Sequence, residues 1–176
     1  DNPHFYALYE EVSNLNIPII VHVGNATPAV LDVTRGNGFA SFRLPSVAAF
    51  HTLIMSGIPE RFPRLRVGFL EASASWVPFA LRDLSRRFPG RRGRELPDDV
   101  MKEYRLWVAC QTDDDIPYVL GYSGEDQLVI GTDYGHSDQS TEIEALRILR
   151  ENEALDPRVV DKILYDNPKA LYNLDL

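Results

Sequence analysis

The chain has 176 residues, of which 44% are hydrophobic and 25% charged, so it is long enough to form one domain around a full core. Its net charge of −8 argues against nucleic acid or an anionic membrane surface as the main partner. No apolar stretch approaches the roughly 20 residues of a membrane-spanning helix. The single cysteine, Cys110, excludes an internal disulfide and fits a reducing compartment, so we expect a cytoplasmic protein.

The first part of the chain predicts a helix, a strand and a long loop. Residues 4–15 carry apolar side chains at helical spacing, and Asn2 is the expected N-cap. Residues 17–23 are nearly all β-branched and predict a strand that is buried on both faces and ends at His22. The polar stretch 25–44 is predicted to be a loop, and loops of this length are often functional.

The rest of the chain continues the alternation of helix and strand. Strands are predicted at 66–72, 105–111 and 128–134, and helices at 46–56, 75–88, 115–122, 142–152, 157–165 and 168–174. The Gly-, Pro- and Arg-rich segment 89–99 is predicted to be a solvated surface loop, and Ser140 or Thr141 to cap the following helix. This order indicates a parallel sheet with right-handed crossovers. No glycine-rich phosphate fingerprint follows the first strand, so a dinucleotide-binding or flavodoxin-like fold is disfavoured.

Each predicted strand ends in polar residues: His22, Glu71, Gln111 and Asp133. The carboxyl ends of parallel strands meet at one rim, so we expect these side chains to converge there. A carboxylate at the end of an apolar strand is costly to bury unless a cation or a hydrogen-bond donor meets it. An imidazole and a carboxylate together are a usual ligand pair for a divalent transition metal. From the residues alone, His22 is equally well explained as a metal ligand or as a buried, hydrogen-bonded histidine.

Other polar residues near this rim are weaker candidates. His136 follows the last strand and is expected to orient Asp133 or contact substrate, with a loop-capping role as the alternative. Arg43 and Asn25 lie on the long loop and are candidates to contact an anionic substrate. Asp138 is expected to be a solvated cap. Packing or surface roles are expected for the remaining histidines, for one tryptophan and for the thiol: His4, His51, Trp76 and Cys110.

Five stretches of the sequence match a known family in order. They are Ile19–Gly24, Ser56–Gly68, Trp76–Pro78, Gly131–Asp138 and Asp166–Tyr172. With these motifs the chain resembles the amidohydrolase-related metal-dependent hydrolases, a group that includes aminocarboxymuconate-semialdehyde decarboxylase and its relatives. The resemblance covers nearly the whole chain, and the ordered set is far more specific than any single motif.

The resemblance implies a (β/α)8 TIM barrel of the metal-dependent hydrolase type. Residues 1–176 would be the C-terminal half of that domain, covering strands five to eight and the C-terminal helices. A complete barrel takes about 250 residues, and the family's first-strand His-x-His metal pair is missing, so we expect the N-terminal half to be absent from this sequence. A half-barrel has two open sheet edges and an uncovered apolar face. The missing half and a further copy of the chain in a homo-oligomer are therefore expected partners.

The resemblance also implies roles for the rim residues. His22 and Asp133 would bind a divalent metal, with zinc as the first expectation and manganese or iron as alternatives. Asp133 would also handle the proton of the attacking water or of the substrate. Many relatives carry a histidine after strand six that polarises the substrate. Glu71 stands at or within one position of that site, where it can act as a general base or bind a second metal. The expected catalytic residues are thus Asp133, Glu71 and His136.

Two classes of function follow from this. The first is a metal-dependent hydrolase or decarboxylase, a carbon–carbon lyase, that acts on a small-molecule carboxylate, ester or amide through a metal-activated water or a metal-held carboxylate. The second is a non-catalytic barrel fragment that serves as an assembly or binding module. A stoichiometric divalent metal favours the enzyme, and a metal-free, well-folded dimer favours the fragment.

Overall fold

Four strands lie side by side, parallel and in sequence order, in the part of the chain that the structure describes. The computed structural model describes residues 2–24, 26–136 and 141–175. The strands are β1 (Ile19–His22), β2 (Val67–Leu70), β3 (Leu106–Cys110) and β4 (Leu128–Ile130). Each strand pairs in parallel with its sequence neighbour, so the carboxyl ends of all four lie at one rim. The predicted parallel α/β sheet is confirmed, and four strands in this order are consistent with part of a (β/α)8 barrel.

Helices precede the sheet and follow every strand. Those in the described ranges are α1 (Tyr6–Asn14), α2 (Pro28–Thr34), α3 (Leu44–Met55), α4 (Ile58–Arg61), α5 (Val77–Arg92), α6 (Val100–Glu103), α7 (Ile116–Ser123), α8 (Ala145–Arg150), α9 (Pro157–Asp161) and α10 (Asn167–Tyr172). A 3-10 turn precedes α1, and its predicted cap is confirmed because the Asn2 side chain accepts a hydrogen bond from the His4 N–H at 2.9 Å. Across the described ranges, no helix combines the length and the apolar composition that crossing a bilayer requires.

The two faces of the sheet are covered unequally. Alternate strand residues such as Val67, Phe69 and Val108 face the helices and form the large core with them. The opposite face carries a small cluster in which Trp107, Val129 and Leu171 are buried. Leu171 belongs to α10, so this helix covers part of the face that would point into a closed barrel.

Gly68 allows α10 to approach the sheet closely. A Cβ at this position would lie 3.0 Å from Ile20 Cδ1 and 3.2 Å from Leu171 Cδ2, which is tighter than ordinary van der Waals contact. A side chain at Gly68 would therefore push α10 away from the sheet.

The predicted loop 25–44 was largely wrong. Pro28 begins α2, where its missing N–H costs nothing, and Arg35 ends the helix in a left-handed conformation with φ +46°. A π-helical turn, Phe39–Arg43, then leads directly into α3. Asn25 lies outside the described residues.

Three other helices also differ from the prediction. α5 runs through Pro89 to Arg92 and ends at Gly93, whose φ is +69°, so the predicted loop 89–99 begins later. The loss of one N–H at Pro89 is tolerated because it falls in the last turns of the helix. The single-turn helices α4 and α6 were not predicted, since four residues give no periodicity to detect.

The strand predictions were too long at their ends. β1 is half-buried to exposed along its length rather than buried on both faces, because it is an edge of the described sheet and pairs there with β2 alone. β4 stops at Ile130, and the predicted strand residues 132–134 belong instead to a turn.

The helix predicted at 142–152 is shorter than expected at both ends. α8 begins at Ala145 rather than at residue 142. Thr141 does not cap it, because its hydroxyl donates to the carbonyls of Asp133 and His136. The other predicted caps, Asp138 and Ser140, lie outside the described residues.

Asn167 is expected to be the most costly polar residue to remove from the junction of α10 and β4. It is 3% exposed, and its Nδ2 donates to the carbonyls of Glu125 at 2.8 Å and Leu128 at 2.7 Å. Replacing Asn167 with alanine should lower the free energy of unfolding by about 1–3 kcal/mol, because a buried carbonyl loses its donor. Urea denaturation measures the change, and the control is Asn14→Ala, at an exposed position of α1 where the side chain accepts one surface hydrogen bond from Arg64. Equal midpoints for both variants would contradict the assigned role.

Candidate metal centre

The four predicted rim residues occupy the positions where the strands end. His22 is the last residue of β1, Glu71 follows β2 directly, and Gln111 follows β3 directly. Asp133 lies in the turn shortly after β4. These side chains therefore share one end of the sheet, as expected for a parallel arrangement.

The ring of His22 is oriented by the backbone next to it. Its Nδ1 lies 2.8 Å from the carbonyl oxygen of Val23, and a carbonyl can only accept, so Nδ1 carries a proton and donates it. Nε2 then faces Oε1 of Glu71 at 2.7 Å. A neutral ring would present a lone pair to this carboxylate, so the contact needs a proton or a cation to hold it together.

The surroundings of His22 favour its protonated form. The hydrogen bond to the Val23 carbonyl contributes most to raising the pKa of His22 above its ordinary value. The carboxylates of Glu71 and Asp133 raise the pKa further, whereas burial lowers it. Asp133, in the turn after β4, is thus close enough for its charge to act on the ring of His22 at the end of β1.

Asp133 projects from a tight turn. Its side chain is 10% exposed, and Oδ1 lies 2.7 Å from Nδ1 of His136. The backbone is left-handed at Asp133, with φ +51°, and at Gly135, with φ +102°. Just before Asp133, the carbonyl of Thr132 accepts a hydrogen bond from the N–H of Glu142 at 3.0 Å.

Three residues at this rim hold uncommon backbone conformations. Glu71, Ser73 and Asp133 have φ values of +63°, +64° and +51°, a region that residues other than glycine seldom adopt. Such residues cost of order 1–3 kcal/mol each and persist where surrounding contacts hold them. Two of the three carry the carboxylates of the candidate site.

The side chains form a cluster of metal-binding type. One ligand atom each from Glu71, Asp133 and His136 lies within 4.8 Å of the other two. His22 is joined to this cluster through its contact with Glu71. Imidazole nitrogens and carboxylate oxygens are the donors that zinc, manganese and iron take in proteins. The residues present therefore fit a divalent metal, and the ligand roles of His22 and Asp133 stay a prediction.

One cavity opens at the cluster, and a second cavity adjoins it. The first has a volume of about 210 Å³ and is lined by Glu71, Asp133 and Gln111 at the rim and by Tyr172 of α10. The second has a volume of about 430 Å³ and includes Arg43 in its wall. Gln111 and Gly131 line both cavities, so the second cavity, with Arg43 in its wall, lies next to the one at the carboxylates.

The residues predicted to have packing roles lie in such positions. His51 Nε2 lies 3.1 Å from Oδ2 of Asp83 and so links α3 to α5. Cys110 is buried, and burial raises the pKa of its thiol to about 12, so it is not a reactive thiolate. Trp76 packs its ring against Phe50.

Asp114 was not predicted to have a role, yet it accepts hydrogen bonds from the loop that follows β2. Three consecutive aspartates, 113–115, were a possible signal. Asp115 was predicted only as the first residue of a helix, and in the structure it caps that helix, α7, by accepting from the Tyr118 N–H.

Comparison with known proteins adds a family match and several structural likenesses. A family model described as amidohydrolase matches residues 1–174. The 5-carboxyvanillate decarboxylase of Sphingomonas paucimobilis superimposes with a TM-score of 0.79 at 15% identity, covering 98% of this chain and 54% of that protein. A second structure is a dihydroxybenzoic acid decarboxylase from a Polaromonas species, solved with bound manganese and the inhibitor 2-nitroresorcinol. It gives a TM-score of 0.75 at 16% identity, covering 99% of this chain and 55% of that protein.

A third structure extends the likeness to another reaction. The 4-oxalomesaconate hydratase of Rhodopseudomonas palustris gives a TM-score of 0.69 at 15% identity, covering 98% of this chain and 50% of that protein. The chain thus spans about half the length of these structures. At such identities the superpositions establish a shared fold, to which the family match adds common descent.

Proposed function

The chain belongs to the amidohydrolase family, and on that premise we propose that it carries part of the active site of a metal-dependent enzyme. The three similar structures are two decarboxylases and a hydratase, and one of them holds manganese with an inhibitor. They support an enzyme of this superfamily. Within it, we propose a hydrolase or a carbon–carbon lyase that acts on a small-molecule carboxylate, ester or amide.

The observation that carries this proposal is the meeting of His22 and Glu71 beside Asp133 and His136. Nε2 and Oε1 stand 2.7 Å apart, which is a hydrogen-bond distance, so the two atoms already face each other where a cation could replace the shared proton. His22 and Asp133 would hold the metal, with Glu71 and His136 completing or supporting the set. A bound divalent cation would supply Lewis acidity, either to a water or to a substrate carboxylate.

The protein groups supply orientation and proton transfer. The Val23 carbonyl fixes the tautomer of His22 and leaves Nε2 as its ligand atom. Asp133 accepts a proton at its carboxylate from the attacking water or the substrate and returns it to the product. This role needs a side chain that is largely buried but still accessible, as that of Asp133 is. His136 holds Oδ1 of Asp133 and so orients the other carboxylate oxygen. Glu71 lacks the positive charge with which a histidine polarises a carbonyl, so its proposed role is that of a base or a ligand.

The partner and location are proposed on separate grounds. β1 and β4 are the edges of the described sheet, and a second set of four βα units would pair with them and close a barrel. A homo-oligomer would cover further apolar surface, such as the exposed Phe39 and Phe42. A cytoplasmic location rests on the single, buried and unpaired Cys110.

Metal analysis tests the proposal against its alternative. We expect close to one equivalent of zinc, manganese or iron per chain, and metal-dependent turnover in a screen of aromatic carboxylates, esters and amides. The alternative, a non-catalytic barrel fragment, predicts a well-folded protein without stoichiometric metal. Dialysis against a chelator followed by metal titration separates a resident cation from one bound at random.

Arg43 is expected to determine affinity for an anionic substrate. It lines the cavity that adjoins the carboxylate cluster, where its permanent charge can pair with a carboxylate of the ligand. Arg43→Ala should raise KM for a carboxylate substrate about tenfold or more, as expected for a charged hydrogen bond of about 1.5–3 kcal/mol. Steady-state kinetics measures the effect, with Arg86→Ala at an exposed position of α5 as control. An unchanged KM for the Arg43 variant would exclude this role.

A further inference from the structure

We propose that Asp114 is a positioning residue that sets the conformation of the loop bearing Glu71. The inference rests on the proposed function, because it treats Glu71 as part of the metal centre. The hydrogen bonds of Asp114 reach Gln111 and the loop residues 73–75 rather than Glu71 itself, so it acts through the backbone that carries Glu71.

The carboxylate of Asp114 accepts four hydrogen bonds. Oδ1 accepts from the hydroxyls of Ser73, at 2.5 Å, and Ser75. Oδ2 accepts from the backbone N–H groups of Ala74, at 2.9 Å, and Gln111, at 2.8 Å. Hydrogen bonds to an ionised acceptor are roughly twice as strong as those between neutral groups. One side chain therefore binds three consecutive residues of the loop after β2 to the end of β3.

The loop that Asp114 holds is the strained one. Glu71 and Ser73 both have left-handed backbones, and a free loop would relax to more common conformations. Ser73 is bound directly through its hydroxyl, and Ala74 through its N–H. Glu71 lies between these fixed residues and the end of β2, so its backbone has little conformational freedom.

Asp114 is itself anchored on rigid structure. Its Oδ2 bond to the Gln111 N–H ties it to the residue that follows β3. The next residue, Asp115, caps α7 by accepting from the Tyr118 N–H at 3.1 Å. The carboxylate thus stands between a strand end and a helix start, and it can transmit their rigidity to the loop of Glu71.

A double-mutant cycle tests whether Asp114 acts through Glu71. Zinc affinity is measured by calorimetry for the wild-type chain, Asp114→Ala, Glu71→Ala and the double variant. Asp114→Ala should weaken zinc binding about 10–100-fold, the range found when groups supporting metal ligands are removed. In the Glu71→Ala background the same change should cost less than about twofold, since residues acting through one another are not additive.

Two further variants separate positioning from folding. In Asp114→Asn the amide oxygen can accept both backbone N–H groups and the NH2 can donate to the serine hydroxyls, so zinc affinity should return to within about threefold of wild type. Asp113→Ala removes the neighbouring exposed aspartate and should leave zinc affinity within about twofold. Circular dichroism establishes that each variant is folded.

Either of two results would overturn the inference. One is a zinc affinity of folded Asp114→Ala within about twofold of wild type, and the other is an equal loss with and without Glu71. A wild-type chain that binds no zinc would instead contradict the proposed function. A crystal structure of Asp114→Ala then decides the positioning role: Glu71 displaced from His22 supports it, and an unmoved Glu71 overturns it.

Discussion

Replacing Asp133 with asparagine abolishes measurable turnover while the protein stays folded, if Asp133 handles the proton in the reaction. The amide keeps the shape of the carboxylate but cannot accept a proton, and such transfers contribute about 10²–10⁴-fold to enzymatic rates. The loss of a negative ligand also weakens metal binding, so the combined effect should exceed that range. We expect the change mainly in kcat, measured under metal-saturating conditions.

A matched aspartate controls for the general effect of losing a charge. Asp161 is exposed on α9, away from the rim, and Asp161→Asn should keep activity within about twofold, as surface substitutions usually do. Urea denaturation should show that both variants are nearly as stable as the wild type. Activity of Asp133→Asn near that of the wild type would remove Asp133 from the catalytic role.

Phe50→Ala is expected to cause the largest loss of stability among single changes beneath the site. The ring of Phe50 is fully buried on α3, with centroids 5.3 Å from Phe69 of β2 and 5.0 Å from Trp76. Truncation removes the centre of this aromatic group and leaves a cavity, at a cost of about 3–5 kcal/mol. Urea unfolding followed by circular dichroism measures the change.

Phe79 provides the matched control for this truncation. It lies on α5 and is 72% exposed, so Phe79→Ala removes the same atoms from solvent-facing surface. We expect a change within about 0.5 kcal/mol. If the two phenylalanine variants unfolded at the same urea concentration, the assignment of Phe50 to the centre of the core would be wrong.

The strand positions were predictable because their side chains carry the signal. β2 and β3 fell within the predicted ranges, since a run of β-branched and apolar residues between helices fits a buried parallel strand. The point at which pairing stops was not predictable. Residues 132–134 were predicted to extend β4, but the backbone turns at Asp133, where φ is +51°. Tertiary contacts rather than local sequence preference determine where the strand ends.

The helix α2 was not predicted, because its sequence gives little indication of a helix. Val30 and Val33 are β-branched and exposed, and no residue of α2 is buried, so the helix has no apolar face to reveal it. Its boundaries come from Pro28 at the start and Arg35 at the end. Arg35 adopts the left-handed conformation that ends many helices, but an arginine in the sequence does not indicate a helix end as a glycine would.

The site was predictable in its members but not in its internal geometry. Strand order alone brought His22, Glu71 and Asp133 to one rim, because parallel strands share an orientation. The contact between His22 and Glu71 depends on the ring tautomer and on a strained loop, which a sequence does not state. Asp114 binds residues some 40 positions earlier in the chain. Nothing in the sequence distinguishes it from the two neighbouring aspartates or indicates which residues it binds.

Crystallography with zinc tests the central claim most directly. Anomalous difference density at the zinc edge, from crystals of the chain grown with zinc, should show one strong peak at the rim of the sheet. We predict that it lies about 2.0–2.2 Å from Nε2 of His22 and from a carboxylate oxygen of Asp133. A strong peak elsewhere, or zinc-saturated crystals in which these two atoms face away from each other without a shared ion, would contradict the account.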